Sequence, residues 1–204
     1  KAAGIITAEE ADQQLEALKL YNNTGDYGDL FLQNATTQTH NLDVSGGTEN
    51  ATYFITAQFN DNALTKIKNG GNRVGLSARL NLKLSKRLSV DLNTNFQEAK
   101  DFAAPVPSIN SFYPYERFVD ENGNPASTYA GSKVTTYYND VIKNLGLLDN
   151  LYYPLQEMDL ISDKKHSINN RFIANFKYDI GKGFNLAIGG VYETSSTDTR
   201  HLAN

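Results

Sequence analysis

From Arg73 to Leu84 the sequence alternates without a break. Val74, Leu76, Ala78, Leu80, Leu82 and Leu84 fall on one side, and Arg73, Gly75, Ser77, Arg79, Asn81 and Lys83 on the other. A period of two signals a strand, because successive side chains leave a pleated backbone on opposite faces. After Ser85, Lys86 and Arg87 the alternation resumes, with Leu88, Val90, Leu92 and Phe96 against Ser89, Asp91, Asn93, Asn95 and Gln97. Two such runs joined by a short polar turn predict an antiparallel hairpin. Soluble strands average about 5–6 residues. A tilted strand crossing a bilayer needs about 9–11, apolar toward lipid and polar toward the lumen. The hairpin meets that requirement, although periodicity alone also admits a soluble sheet.

The same period recurs on either side. A helix is expected over Thr7–Leu20, with Thr7 as its cap, Glu9 and Glu10 in the first turn where the helix dipole favours acid, and Ala11, Leu15 and Leu18 on one face. Asn22-Asn23-Thr24-Gly25 ends it, and residues 26–33 read as loop. Strands are expected over Thr37–Ser45 and Ala51–Phe59, joined by a turn at Gly46-Gly47-Thr48-Glu49-Asn50, followed by a polar loop over residues 60–72. A last hairpin sets Ile168, Phe172, Ala174, Phe176 and Tyr178 beside Phe184, Leu186, Ile188 and Tyr192. Its opposite face is small, with Ala187 and Gly189, as where a strand is closely approached by something inside. Short turns thus alternate with longer connections, as in outer-membrane barrels. The expected organisation is helix and loop over 1–36, four strands over 37–101, a long loop over 102–166, and a hairpin with the start of another loop over 167–204.

Residues 102–166 hold ten of the aromatic side chains. Loops beyond about 12–15 residues are usually functional or disordered, and this aromatic load argues for order. Asn139–Leu148 is expected to form a short helix. Tyr113, Tyr115, Arg117, Tyr137, Tyr138, Tyr152 and Tyr153 are the candidate binding residues. Their rings can stack on sugar faces or meet a partner while Arg117 hydrogen-bonds hydroxyls. The same rings can also simply pack the loop onto itself. Tyr53, Phe96, Tyr178, Phe184 and Tyr192, near strand ends, suit interfacial girdles.

Several function classes are disfavoured. Mean hydropathy is −0.48, and no apolar run approaches the ~18 residues of a spanning helix. Net charge is −4, with no basic run longer than Lys164-Lys165, which speaks against a nucleic-acid partner. The chain has no cysteine, no nucleophile elbow, no phosphate loop and no zinc helix, so no enzyme activity and no cofactor are expected. Asp120, Asn122 and Asn124 match the start of a calcium loop, but Pro125 and Gly131 stand where its Gly and Glu belong. A turn is expected there instead, and no metal site. The sequence opens on Lys1 and shows no leader segment, so if the protein is exported its signal is expected upstream.

His40-Asn41-Leu42-Asp43-Val44-Ser45-Gly46-Gly47-Thr48-Glu49, followed by Thr52-Tyr53-Phe54, resembles the early barrel of SusC/RagA-type TonB-dependent transporters of Bacteroidetes. Arg79-Leu80-Asn81-Leu82, Pro114-Tyr115-Glu116-Arg117 and Val119–Pro125 continue the resemblance in family order, which covers most of residues 37–195. It implies an all-β fold: an antiparallel transmembrane β-barrel segment of about six long strands in the outer membrane, with a short N-terminal helix and one long extracellular loop. It also implies import of an oligosaccharide or peptide with a SusD-type lipoprotein as lid. Energy would come from the TonB complex through parts this chain does not carry, and outer-membrane lipid would surround the wall. The alternative is a soluble, secreted β-rich glycan-binding module whose apolar strand faces pack on a second sheet.

Overall fold

The computed structural model describes residues 7–129 and 136–203. Helices α1 (Ala8–Lys19) and α2 (Thr24–Phe31) precede strands β1 (Thr36–Gly47), β2 (Ala51–Ala63), β3 (Gly70–Lys83) and β4 (Leu88–Ala103). A connection with a 3-10 turn at Ile109–Ser111 and helices α3 (Thr136–Asn144) and α4 (Pro154–Leu160) leads to β5 (Ile161–Gly181) and β6 (Phe184–Ala203). The fold is all-β: one open sheet in the order β1-β2-β3-β4-β5-β6, each strand antiparallel to its neighbours in sequence.

The register turns the alternation of each strand into one surface. Val44, Ile55, Ala78, Thr94, Phe172 and Tyr192 lie opposite one another across the six strands. Gly46, Tyr53, Leu80, Leu92, Ala174 and Gly190 form the next row, and Ala51, Leu82, Val90, Phe176 and Ile188 the one after. The opposite face carries Asn41, Gln58, Gly75, Gln97, Asn169 and Ser195 in one row and Asp43, Thr56, Ser77, Asn95, Arg171 and Glu193 in the next. A slip of one residue in any strand would move its apolar set to the polar face, so the register is strongly specified. The apolar face is uncovered: Leu42, Leu76, Phe172 and Ile188 are among its exposed side chains. No second sheet lies over it among the described residues, whereas the soluble alternative needs one.

The strands run further than the alternation of apolar residues indicates. The ladder between β2 and β3 continues through Asn60 and Arg73 to Asn62 and Gly71, which shortens the expected loop over 60–72 to residues 64–69. Polar pairs keep the backbone ladder where both faces are wet, so hydropathy is silent there. For the same reason β5 begins at Ile161, inside the expected loop over 102–166, and β6 continues to Ala203, where the start of a loop was expected. Gly46 and Gly47 are strand residues, not turn residues. A Cβ on Gly46 would lie 2.6 Å from the Tyr53 hydroxyl, so glycine is required by a ring lying across it and not by turn geometry. At Gly189, where something inside the barrel was expected to approach, the close neighbour is instead the Asn175 side chain of the adjacent strand β5.

Thr7 caps α1 with a reciprocal capping box: its side chain accepts from the Glu10 N–H at 3.1 Å, and the Thr7 N–H donates to Glu10 Oε2 at 2.8 Å. Residues 26–33, expected as loop, belong mostly to α2. Gly25 and Gly28 weaken its intrinsic preference, and packing of Tyr27 and Phe31 one turn apart supplies what propensity does not. The turns at 48–50, 84–87 and 182–183 lie at one end of the sheet; the connection over 64–69, the described residues of the connection between β4 and β5, and α2 lie at the other. The buried core gathers at that second end.

Candidate functional site

The core at the loop end consists of Tyr27, Phe31, Ala104, Val106, Phe112, Phe118 and Met158, with Ile67, Ile109 and Tyr152 packed against it. Phe31 and Phe118 are fully buried, and their rings meet edge to face at 4.9 Å. Phe112 approaches Phe118 the same way at 5.0 Å, while Tyr27 stacks on Phe31 at 5.0 Å. Four separate stretches of chain therefore close on one another. Hydrogen bonds lace them: Ile67 N–H to the Phe31 carbonyl at 3.1 Å, Tyr27 hydroxyl to the Pro107 carbonyl at 2.7 Å, and Lys66 Nζ to the Val106 carbonyl at 3.1 Å. Lys68 pairs with Asp159.

Along residues 112–118 buried and exposed side chains are interleaved, with Pro114 on the exposed side. Phe112, Glu116 and Phe118 point inward, whereas Tyr113, Tyr115 and Arg117 point outward. The inward side is a hydrogen-bonded cradle. Glu116 is buried, and its carboxylate accepts from the Tyr113 N–H at 2.7 Å and from the Tyr129 N–H. Asn23, also buried, donates through Nδ2 to the Tyr113 carbonyl at 2.9 Å and the Glu116 carbonyl at 3.2 Å, and its own N–H meets the Pro114 carbonyl at 2.9 Å. Buried polar groups satisfied in this way fix the turn that carries the outward residues.

The outward side is an aromatic platform. The rings of Tyr113 and Tyr115 are stacked, 5.5 Å apart and within 1° of parallel, and remain 53% and 38% exposed. The Arg117 guanidinium sits 4.9 Å from the centre of the Tyr21 ring, a cation–π contact. Tyr21 donates to Asp26; burial, reinforced by that carboxylate, pushes its hydroxyl up to about 12, so it stays protonated. Sequence reasoning missed Tyr21 and Asn23, whose partners Arg117, Tyr113 and Glu116 are far away in sequence, and it also missed the inward role of Glu116, whose carboxylate caps nearby backbone N–H groups.

The other candidates lie elsewhere in the cap. Tyr138, on α3, is exposed. Tyr152 packs on the core, and its carbonyl accepts from the Thr128 N–H at 2.9 Å. Tyr153 donates to Asp149 Oδ2 at 2.8 Å. The Tyr137 side chain lies outside the described residues. Asp120 accepts from the N–H groups of Asn122 and Asn124, each at 2.8 Å, and from the Asn124 side chain at 3.0 Å. These bonds, chiefly from Asn124, lower its pKa and make this stretch a side-chain-capped turn.

Asp149 ties α3 to residues 149–153. Burial pushes its carboxyl up, but bonds from the Leu151 N–H, Lys143 Nζ at 2.9 Å and the Tyr153 hydroxyl outweigh this and bring the pKa down to about 2. A depressed carboxylate pKa stabilises the fold above the ordinary value near 3.8, and the benefit is lost as pH falls through the folded value. Amide exchange over residues 136–153 is expected to accelerate between pH 4 and pH 2 relative to residues 104–118. A parallel response of both stretches would contradict this link.

An open meander of long strands, apolar on one face, polar on the other and capped at one end, is a segment of a β-barrel wall. No protein-family model matches the sequence, and no curated protein matches it. Among solved structures, the chain is similar to the RagAB peptide importer in the "closed-closed" state, with a TM-score of 0.66 at 14% identity. The match covers 86% of this chain and 19% of that one. This likeness is one of fold, over a small part of a much larger chain.

Proposed function

We propose that this chain is part of the barrel of a RagA-like, TonB-dependent nutrient importer of the outer membrane, and that its cap contributes to the extracellular binding surface. The observation that carries the reading is the register, which aligns the apolar residues of six strands on one uncovered face and leaves the polar residues for a wet interior. Peptide is the favoured cargo, since a solved structure similar in fold is a peptide importer; oligosaccharide is the other class a tyrosine platform accepts. A SusD-type lipoprotein is the expected lid over the loop end, and energy would enter through parts of the protein beyond these residues. The contribution of this chain is binding and passage, with no covalent step.

The platform gives the test. In the whole protein, replacing Tyr113 and Tyr115 together by alanine is expected to weaken cargo binding about tenfold, at about 0.5–1.5 kcal/mol per aromatic contact. Thermal stability should hardly change, because both rings point outward. Titration of the purified importer with peptides and oligosaccharides reads the effect. Unchanged affinity for every cargo the parent binds would remove the platform from the site.

A further inference from the structure

Above the last apolar rows, the same outward face of the sheet changes character. Lys100, His166 and Asp198 are register partners on β4, β5 and β6, and one row further toward the loop end Phe102, Lys164 and Arg200 are partners. They line an open groove of about 480 Å³. Counting from Phe96, Phe172 and Tyr192 in steps of two shows that these six residues share the apolar face. They stand just beyond the hydrocarbon band, where lipid headgroups would lie.

Glu98 and Asp198 hold two of the bases in place and leave one net positive charge among Lys100, Lys164 and Arg200. Glu98 binds both Lys100 Nζ and His166 Nε2 at 2.9 Å. Asp198 engages only Nε of Arg200, at 2.8 Å, so the terminal nitrogens of the guanidinium remain for another partner. Lys164 has no acidic partner among the described residues. A guanidinium fork and a free ammonium, held beside an exposed aromatic ring at a hydrocarbon boundary, match the phosphate of a lipid headgroup in charge and geometry.

We propose that this groove binds a phosphate-bearing lipid headgroup of the outer leaflet, as an annular lipid site on the barrel wall. The proposal rests on the membrane-wall reading of the sheet. Its test uses the whole protein, extracted from membranes, exchanged into lipid A with or without its phosphates, and examined by native mass spectrometry for retained lipid. The parent should retain the phosphorylated form in preference. A Lys164→Glu/Arg200→Glu variant should lose that retention roughly tenfold, while Lys182→Glu in the opposite turn should not. Equal retention by parent and variant, no preference for phosphate, or displacement by free inorganic phosphate would overturn the proposal. Failure of the wall reading looks different: the parent protein would not fractionate with membranes at all.

Discussion

Replacing Leu80 by arginine is expected to lower the unfolding free energy of the bilayer-embedded protein by about 2–4 kcal/mol, the cost of a cationic side chain facing lipid near mid-membrane. Leu80 sits in the row with Tyr53, Leu92 and Ala174, well inside the apolar band, so the register moves Tyr53 away from the interfacial girdle expected for it. Its sequence neighbour supplies the control. Asn81 faces the other way and lies opposite Asp91, which already pairs with Lys177 at 3.0 Å, so an arginine at 81 would share that carboxylate on an exposed polar face and should stay within about 0.5 kcal/mol of the parent. Urea titration in lipid vesicles measures both. Equal losses at the two positions would mean that the faces are not differentiated by lipid and lumen.

The second large effect belongs to the cap. Phe118→Ala should destabilise the loop-end core by about 3–5 kcal/mol, because the cavity is lined by rings that cannot collapse into it. Phe118 is 0% exposed and contacts Tyr27, Phe31 and Phe112. The sheet does not rest on this cluster, so the damage should be local. Hydrogen exchange is expected to rise about a hundredfold or more in residues 104–129, with the β3–β4 ladder still protected. Loss of protection throughout the chain would instead make the cap and the wall one cooperative unit.

The wall was legible in the sequence because its physics is local and periodic. Alternation from Arg73 to Phe96 gave the central hairpin, and the lengths of the runs pointed to a membrane span. Where both faces are wet the period carries no hydropathy signal, so the ends of β2, β5 and β6 were read short. The cap was legible only in composition. Its aromatic load announced an ordered structure, but α2 depends on Phe118 and Ile67, far away in sequence, and local preference could not reveal it. The candidate site divided in the same way. Tyr113, Tyr115 and Arg117 do share an outward surface, whereas Tyr152 and Tyr153 are held by contacts that only the fold creates.

The lipid assignment can be read position by position. Single cysteines at Leu76, Leu80 and Phe172, and at Ser77, Asn81 and Arg171, would each carry a nitroxide in the vesicle-embedded whole protein. Collision rates with oxygen, which concentrates in hydrocarbon, and with a polar nickel chelate, which stays in water, then report the surroundings of each label. The first three positions are expected to favour oxygen and the second three to favour nickel. Nickel access at Leu80, or a label there shielded from both reagents, would contradict the barrel-wall account.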